Sequence, residues 1–164
     1  MKLLLDVGNS RVKWAWLSAQ GQIRSGHALH RNHDLAGALR NALHGAPTPD
    51  EVRVANVAGP VASALVADVI FESFGIPPVF ARSCAMACGL RNGYRDPDQL
   101  GVDRWLAMCA AWQKFPGPLC VVDAGTAVTV DIIASDGLHA GGLIVPGAAL
   151  MVAALRRETG DLER

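Results

Sequence analysis

Neither charge is in excess in this sequence: 15 Lys and Arg stand against 15 Asp and Glu, a formal net charge of +0 at pH 7. That balance removes the electrostatic case for a general nucleic-acid binder or a protein of anionic membrane surfaces, since no basic surplus exists to displace counterions. Charged residues are also scarce, 18% against 51% hydrophobic, too apolar a mixture for a disordered chain. No apolar run reaches the ~18 residues that a membrane span needs. The longest candidate, Gly141 to Leu155, is interrupted by Gly142, Pro146 and Gly147. Met1-Lys2-Leu3-Leu4-Leu5 meets a carboxylate at Asp6, too early for the core of a signal peptide. The four cysteines, Cys84, Cys88, Cys109 and Cys120, offer no zinc-knuckle spacing. They read as buried free thiols of a reducing compartment. His27, His30 and His33 fall at a strand end and in a loop, and none of the five histidines reads as a ligand. The expectation is a soluble, cytosolic globular protein.

The first third reads as three successive strands, Lys2 to Asp6, Val12 to Leu17 and Gln22 to Leu29. Asn32 or Asp34 can cap a helix through Leu43, with Leu35, Ala38, Leu39, Ala42 and Leu43 on one face. A strand over Glu51 to Val57, a helix from Val61 to Phe74 opened by Gly59-Pro60, and a strand at Val79-Phe80-Ala81 follow. The order β-β-β-α-β-α-β predicts an antiparallel opening and parallel crossovers behind it, as in a ribonuclease-H-like α/β lobe. A loop carrying Gly93, Asp96 and Pro97 leads to a helix from about Pro97 or Asp98 to Lys114. Leu100, Trp105, Leu106, Cys109 and Trp112 share its buried side. Pro116-Gly117-Pro118 stops that helix and is the strongest boundary signal, giving domains of 1–116 and 117–164.

Beyond that stop the pattern repeats. Leu4-Leu5-Asp6-Val7-Gly8 is echoed by Val121-Val122-Asp123-Ala124-Gly125, each a buried strand ending in Asp-x-Gly before a β-branched strand and a Gly-containing turn. The two loops differ by one residue. Duplication predicts two related lobes facing one another, with an Asp-x-Gly loop on each side of a cleft. In the first loop, Gly8 permits φ > 0 and close backbone approach to a ligand. Backbone N–H groups with Asn9 and Ser10 would make an anion site for phosphate oxygens. Asp6 would repel a bare phosphate, so a cation is expected beside it, and Mg²⁺ fits. Lys13 or Arg11 adds positive charge, alternation sending only one of them to the site. Asp123-Ala124-Gly125-Thr126 supplies the same components again. Gly101 is a costly residue inside the first turn of a helix, which points to a close approach there. Asp103 beside Arg104 can then act as general base for a hydroxyl while the Arg binds an acid group. The implied chemistry is phosphoryl transfer from a nucleotide to an alcohol.

On these residues the chain resembles the type III pantothenate kinases, of the acetate and sugar kinase, heat-shock cognate and actin superfamily. The resemblance rests on Asp6-Val7-Gly8-Asn9-Ser10, on Tyr94, on Pro97-Asp98-Gln99-Leu100-Gly101-Val102-Asp103-Arg104-Trp105, and on two later runs. Those are Asp123-Ala124-Gly125-Thr126-Ala127-Val128-Thr129-Val130-Asp131 and Gly141-Gly142-Leu143-Ile144-Val145-Pro146-Gly147. It implies an α/β fold of two ribonuclease-H-like lobes (the actin-like ATPase fold), the second incomplete in this chain. Asp6, Val7, Gly8, Asn9, Ser10, Arg11, Val12 and Lys13 would hold ATP and its Mg²⁺, with Gly125 and Thr126 contacting ATP. Tyr94, Gly101, Val102, Asp103 and Arg104 would line the pantothenate pocket, with Asp103 the general base. Asp123 would bind the monovalent cation, K⁺ or NH₄⁺. The family's partners would be ATP, pantothenate and a second copy in a cytoplasmic homodimer, with no nucleic acid and no membrane. The reaction would be ATP-dependent phosphorylation of pantothenate to 4'-phosphopantothenate, the first step of coenzyme A synthesis.

Only the opening of the second lobe is present, so the chain is either a fragment of a longer protein or needs a partner to cover its second sheet, and Asp161-Leu162-Glu163-Arg164, which carries no helix stop, favours the fragment. The segment that in the family supplies a Thr reaching pantothenate across the dimer has no counterpart here. Two rival readings follow from the same motifs: a nucleotide-binding accessory or regulatory protein without kinase turnover, and a kinase for another small alcohol. The Asp103-Arg104 pair weighs against the first, and Tyr94 with the Gly-x-Asp-Arg helix against the second.

Overall fold

The computed structural model describes residues 1–21, 23–30, 34–115 and 117–159. Gln22, Asn32, His33, Pro116 and the Asp161–Arg164 tail, on which parts of the sequence reading fall, lie outside the described residues. The chain divides into two compact units, Met1–Arg82 and Ser83–Arg164.

In the first unit, strands β1 (Lys2–Val7), β2 (Arg11–Leu17) and β3 (Ile23–Leu29) form an antiparallel meander. Helix α1 (Leu35–Leu43) crosses over to β4 (Glu51–Asn56), parallel to β1, and α2 (Pro60–Phe74) crosses to β5 (Val79–Phe80). The sheet order β3-β2-β1-β4-β5 is that of a ribonuclease-H-like lobe. Its core lies on one sheet face, where Leu3, Leu5, Val7, Val12, Trp16, Val52 and Val54 meet the leucines of α1 and Val66, Val69 and Ile70 of α2. The period-2 burial of β1 and β2 follows from that one-sided packing. Arg11 and Lys13, two apart, share the opposite, exposed face, which corrects the expectation that alternation would separate them.

Local signals set the helix ends. The Asp34 carboxylate accepts the Gly37 N–H at 2.8 Å and caps α1. Pro60 occupies the first turn of α2, and Gly75 closes it in the left-handed region (φ 71°) with its N–H on the Phe71 carbonyl. Asp34→Ala is expected to cost about 1 kcal/mol of stability through the lost cap, read as a lower urea midpoint at unchanged m-value.

In the second unit a small hairpin precedes the Gly93 loop, β6 (Met86–Ala87) and β7 (Leu90–Arg91), a stretch to which the sequence reading assigned no element. Its turn residues, Cys88 (φ 53°) and Gly89 (φ 82°), both have positive φ, as a two-residue I′-type turn requires. The predicted single helix is two elements: a 3₁₀ turn at Pro97–Gln99, then α3 (Val102–Lys114). Asp96 caps the former, and extended Leu100 breaks the path, its side chain buried. Strands β8 (Leu119–Ala124), β9 (Ala127–Ile133) and β10 (His139–Pro146) form an antiparallel sheet in the order β10-β9-β8, followed by α4 (Ala148–Glu158). This sheet matches the β3-β2-β1 half of the first. The connections are Gly8 to Ser10 in one case and Gly125-Thr126 in the other, the one-residue offset expected.

Leu90, Leu100, Trp105, Met108, Cys109 and Ile133 form the second core, where α3 packs on β8 and β9. Leu106, expected on the buried side of α3, is 41% exposed. Strand β8 is not the buried strand expected either. Val122 is exposed, as are Ile132, Leu143 and Ile144 of the neighbouring strands, because the core residues Val121 and Ile133 lie on the face that α3 covers. No helix among the described residues is long and apolar enough to cross a membrane.

The thiols need correction. Cys84, Cys88 and Cys120 are exposed and only Cys109 is buried. Burial, with smaller contributions from Cys88 and Cys84, pushes the Cys109 thiol up to about 12. So high a pKa leaves far less thiolate near neutrality than a free thiol has. Native-state alkylation mapped by peptide mass spectrometry should therefore label Cys84, Cys88 and Cys120 and spare Cys109 until the chain unfolds.

Candidate active site

The Asp6 carboxylate emerges at the C-terminal end of β1, directly opposite Lys13 of β2, whose ammonium lies 3.0 Å away. Lys13 is thus one cation beside Asp6. Gly8 does not have positive φ, contrary to expectation. Its N–H donates to the Arg11 carbonyl at 3.0 Å, and its own carbonyl lies 2.8 Å from Nε2 of His30. The His30 N–H reaches the Ser10 carbonyl, so the loop is held from the β3 side and His30 is more than a surface group. The N–H groups of Asn9 and Ser10 have no partner among the described residues, as an anion site needs. Val7 and Val12 are fully buried in the core, side chain and backbone alike, and the Val7 carbonyl already accepts the Val57 N–H, so neither presents a surface to a ligand. The hollow of about 200 Å³ lined by Met1, Trp14, Trp16 and Arg24 lies at the other end of these strands and is no extension of this loop.

In the second unit Asp123 pairs in register with Thr129, as Asp6 does with Lys13, and its exposed carboxylate has no ion pair among the described residues. Gly125 lacks positive φ and donates to the Ala127 carbonyl at 2.9 Å. The Thr126 carbonyl accepts the N–H of Gly147 at 2.9 Å. A Cβ on Gly147 would overlap the carbonyls of Gly125 and Thr126, so only glycine brings the start of α4 so close to this turn. Free oxygen donors fit a hard cation. Among the described residues no three His, Cys, Asp or Glu side chains converge as a metal-binding group.

The third constellation is the best organised. Gly101 is the N-cap of α3 (φ −53°, ψ 130°), not an interior residue, and a Cβ there would stand 2.7 Å from Asp103 Oδ1. Its absent side chain clears space for the Asp103 carboxylate, which replaces the helix-interior argument made from sequence. Asp103 lies in the first helical turn, where a carboxylate is favoured by the unpaired N–H groups. Its Oδ1 accepts the Arg104 N–H at 2.8 Å and Oδ2 has no partner among the described residues. Val102 is 8% exposed and packs inward.

Arg104 is not a free surface cation. It is 6% exposed and grips Asp131 of β9 side-on, Nε to Oδ2 at 2.9 Å and Nη2 to Oδ1 at 2.6 Å. The hydrogen bonds to Asp131 raise the guanidinium's already high pKa, against the opposing effect of burial, so it stays charged. Nη1, not engaged by Asp131, points at the Tyr94 hydroxyl at 3.4 Å. His139 completes the group: its Nε2 is 2.9 Å from Asp131 Oδ1 and its ring stacks on Tyr94. A Cβ at Gly142 would overlap Asp131 Oδ1 and the Val130 carbonyl and stand 2.7 Å from Arg104 Nη2, so glycine is required there.

Tyr94, Gly101, Asp103 and Arg104 are therefore brought together as expected. Asp131 and His139 were missed. A lone Asp inside the apolar alternation of β9 was the available signal for the first. His139 carried none, its strand entry broken by the register shift between His139 and Gly141.

The fold is that of the actin-like ATPases and sugar kinases, with the ribonuclease-H-like order complete in the first unit and three strands of it in the second. A solved structure from Sinorhizobium meliloti, described as a "putative 2-dehydro-3-deoxygalactonokinase protein", superposes with a TM-score of 0.62 at 16% identity, over 99% of this chain and 60% of that one. That likeness concerns fold alone. The family model of type III pantothenate kinase matches residues 2–164. Proteins named type III pantothenate kinase are 36% identical in Nitrosococcus oceani, over 99% of this chain and 63% of the relative. The figures are 39%, 99% and 66% for Halorhodospira halophila, and 42%, 98% and 65% for Cupriavidus taiwanensis. The chain belongs to the type III pantothenate kinase family, and it spans just under two thirds of the length of these relatives.

Proposed function

We propose that the protein carrying this chain transfers the γ-phosphoryl group of ATP to the primary hydroxyl of pantothenate. The observation that carries the reading is the grouping of Asp103, with one carboxylate oxygen unpartnered among the described residues, beside Arg104 and the Tyr94 hydroxyl at 3.4 Å from its Nη1, in a chain of this family. The hydroxyl oxygen attacks the γ-phosphorus, the bond to the β–γ bridging oxygen breaks with ADP leaving, and the hydroxyl proton passes to Asp103 Oδ2. Arg104 Nη1 and the Tyr94 hydroxyl receive the pantothenate carboxylate.

The Asp6–Lys13 segment holds the triphosphate through the free N–H groups of Asn9 and Ser10, with Lys13 and Arg11 on the same exposed face. Mg²⁺ accompanies ATP as part of the substrate, within reach of Asp6 once Lys13 turns to the phosphates. Gly125 and Thr126 contact ATP. Asp123 is one oxygen ligand of a K⁺ or NH₄⁺ ion, which supplies fixed positive charge near the nucleotide. The working form is a cytoplasmic homodimer.

An ADP-release assay on the full-length protein tests this. Release that depends on pantothenate supports the reading, and ADP release without any response to pantothenate overturns it. ATP binding without turnover would favour the accessory-protein alternative, and turnover of another alcohol in an acceptor panel the other.

A further inference from the structure

His139 is 1% exposed and nothing in the proposed chemistry employs it. Asp131 is an acceptor towards Arg104, so His139 must donate its Nε2–H to Oδ1. Nδ1 is buried and without a partner among the described residues. Leaving that atom unpaired costs free energy, a cost an apolar side chain of the same size would avoid. What an apolar side chain cannot do is hold the carboxylate.

The four side chains form a closed ring. Asp131 Oδ1 is shared by His139 Nε2 and Arg104 Nη2, and Oδ2 takes Arg104 Nε. Three bonds on two oxygens fix the rotation of the carboxylate, and the side-on pairing fixes the guanidinium plane. Nη1 is left over, 3.4 Å from the Tyr94 hydroxyl, a long contact in which both groups keep capacity for another partner. The Tyr94 ring lies nearly parallel to the His139 ring, 9° between planes and 5.9 Å between centroids. The His139 carbonyl packs where a Cβ on Gly93 would stand, which anchors the strand against the segment bearing Tyr94.

We propose that His139 is a positioning residue: through Asp131 on one side and the Tyr94 ring on the other, it aims Arg104 Nη1 and the Tyr94 hydroxyl as a donor pair for the anionic end of the acceptor. Only the identity of that acceptor rests on the function proposed above. The ring of contacts does not.

Two substitutions of similar polarity separate aiming from packing. His139→Gln can place an amide N–H where Nε2 stands, and His139→Asn places it where Nδ1 stands. In the full-length protein labelled with ¹⁵N-arginine, the Arg104 Nε–H of wild type and His139→Gln should exchange slowly with solvent. In His139→Asn it should exchange at least about tenfold faster. Pantothenate KM should rise at least about fivefold in the Asn variant with kcat and the KM for ATP changed less than about twofold, and the Gln variant should recover wild-type KM. Asn behaving as wild type, or Gln failing as badly as Asn, overturns the proposal. Should Asn not fold, wild-type exchange and KM in the Gln variant support it and their loss overturns it. Wild-type protein with slow Arg104 exchange but no turnover of pantothenate would overturn the proposed function and leave the positioning role supported by the exchange data.

Discussion

Asp103→Asn in the full-length protein is expected to lower kcat by about 10²–10⁴, the range associated with loss of a general base. The substitution is nearly isosteric. Asn retains an oxygen to accept the Arg104 N–H that Asp103 Oδ1 accepts at 2.8 Å, and it fits the space that Gly101 leaves. The loss should therefore fall mainly on turnover, with the thermal midpoint lowered only slightly by the lost charge at the helix start, measured by ADP release and by calorimetry on the same sample. A variant turning over within a few-fold of wild type would mean that another group takes the proton.

Asp131→Asn should produce the largest stability change in the second unit. It leaves the Arg104 guanidinium, 6% exposed, without its counter-charge, and turns an amide NH₂ toward at least one of the three N–H donors around the carboxylate. Breaking a buried ion pair by removing one partner costs about 3–5 kcal/mol. Removing both, as Arg104→Met with Asp131→Leu, should cost less than Asp131→Asn alone, because no charge is then stranded. Some loss remains, since the Nε2–H of His139 goes unpaired. Urea melts of the two proteins decide it, and equal losses would show that the pair matters only as packing.

The first unit was almost wholly legible from sequence. Its strands alternate because one face is covered, and its helices carry their own start and stop residues, Asp34, Pro60 and Gly75, so each element announces itself within a few positions. The second unit was harder. The Cys88-Gly89 turn joins strands of only two residues each, too short for any periodicity to register, and the Leu100-Gly101 break sits inside an unbroken helical pattern. Strand β8 has the composition of a buried strand, yet Val122 faces outward, because which face is covered depends on where α3 packs.

By itself the sequence determined the element order, the paired Asp-x-Gly loops with their one-residue offset, the Gly-x-Asp-Arg helix start and the family to which these belong. All are local patterns, carried by residues within a few positions of one another. Only the tertiary structure decided the fate of the Arg104 charge. Its counter-ion is 27 positions away on another element and His139 a further eight, and a chain read one residue at a time holds no record of which distant side chains the packing of α3 on β9 brings to hydrogen-bonding distance.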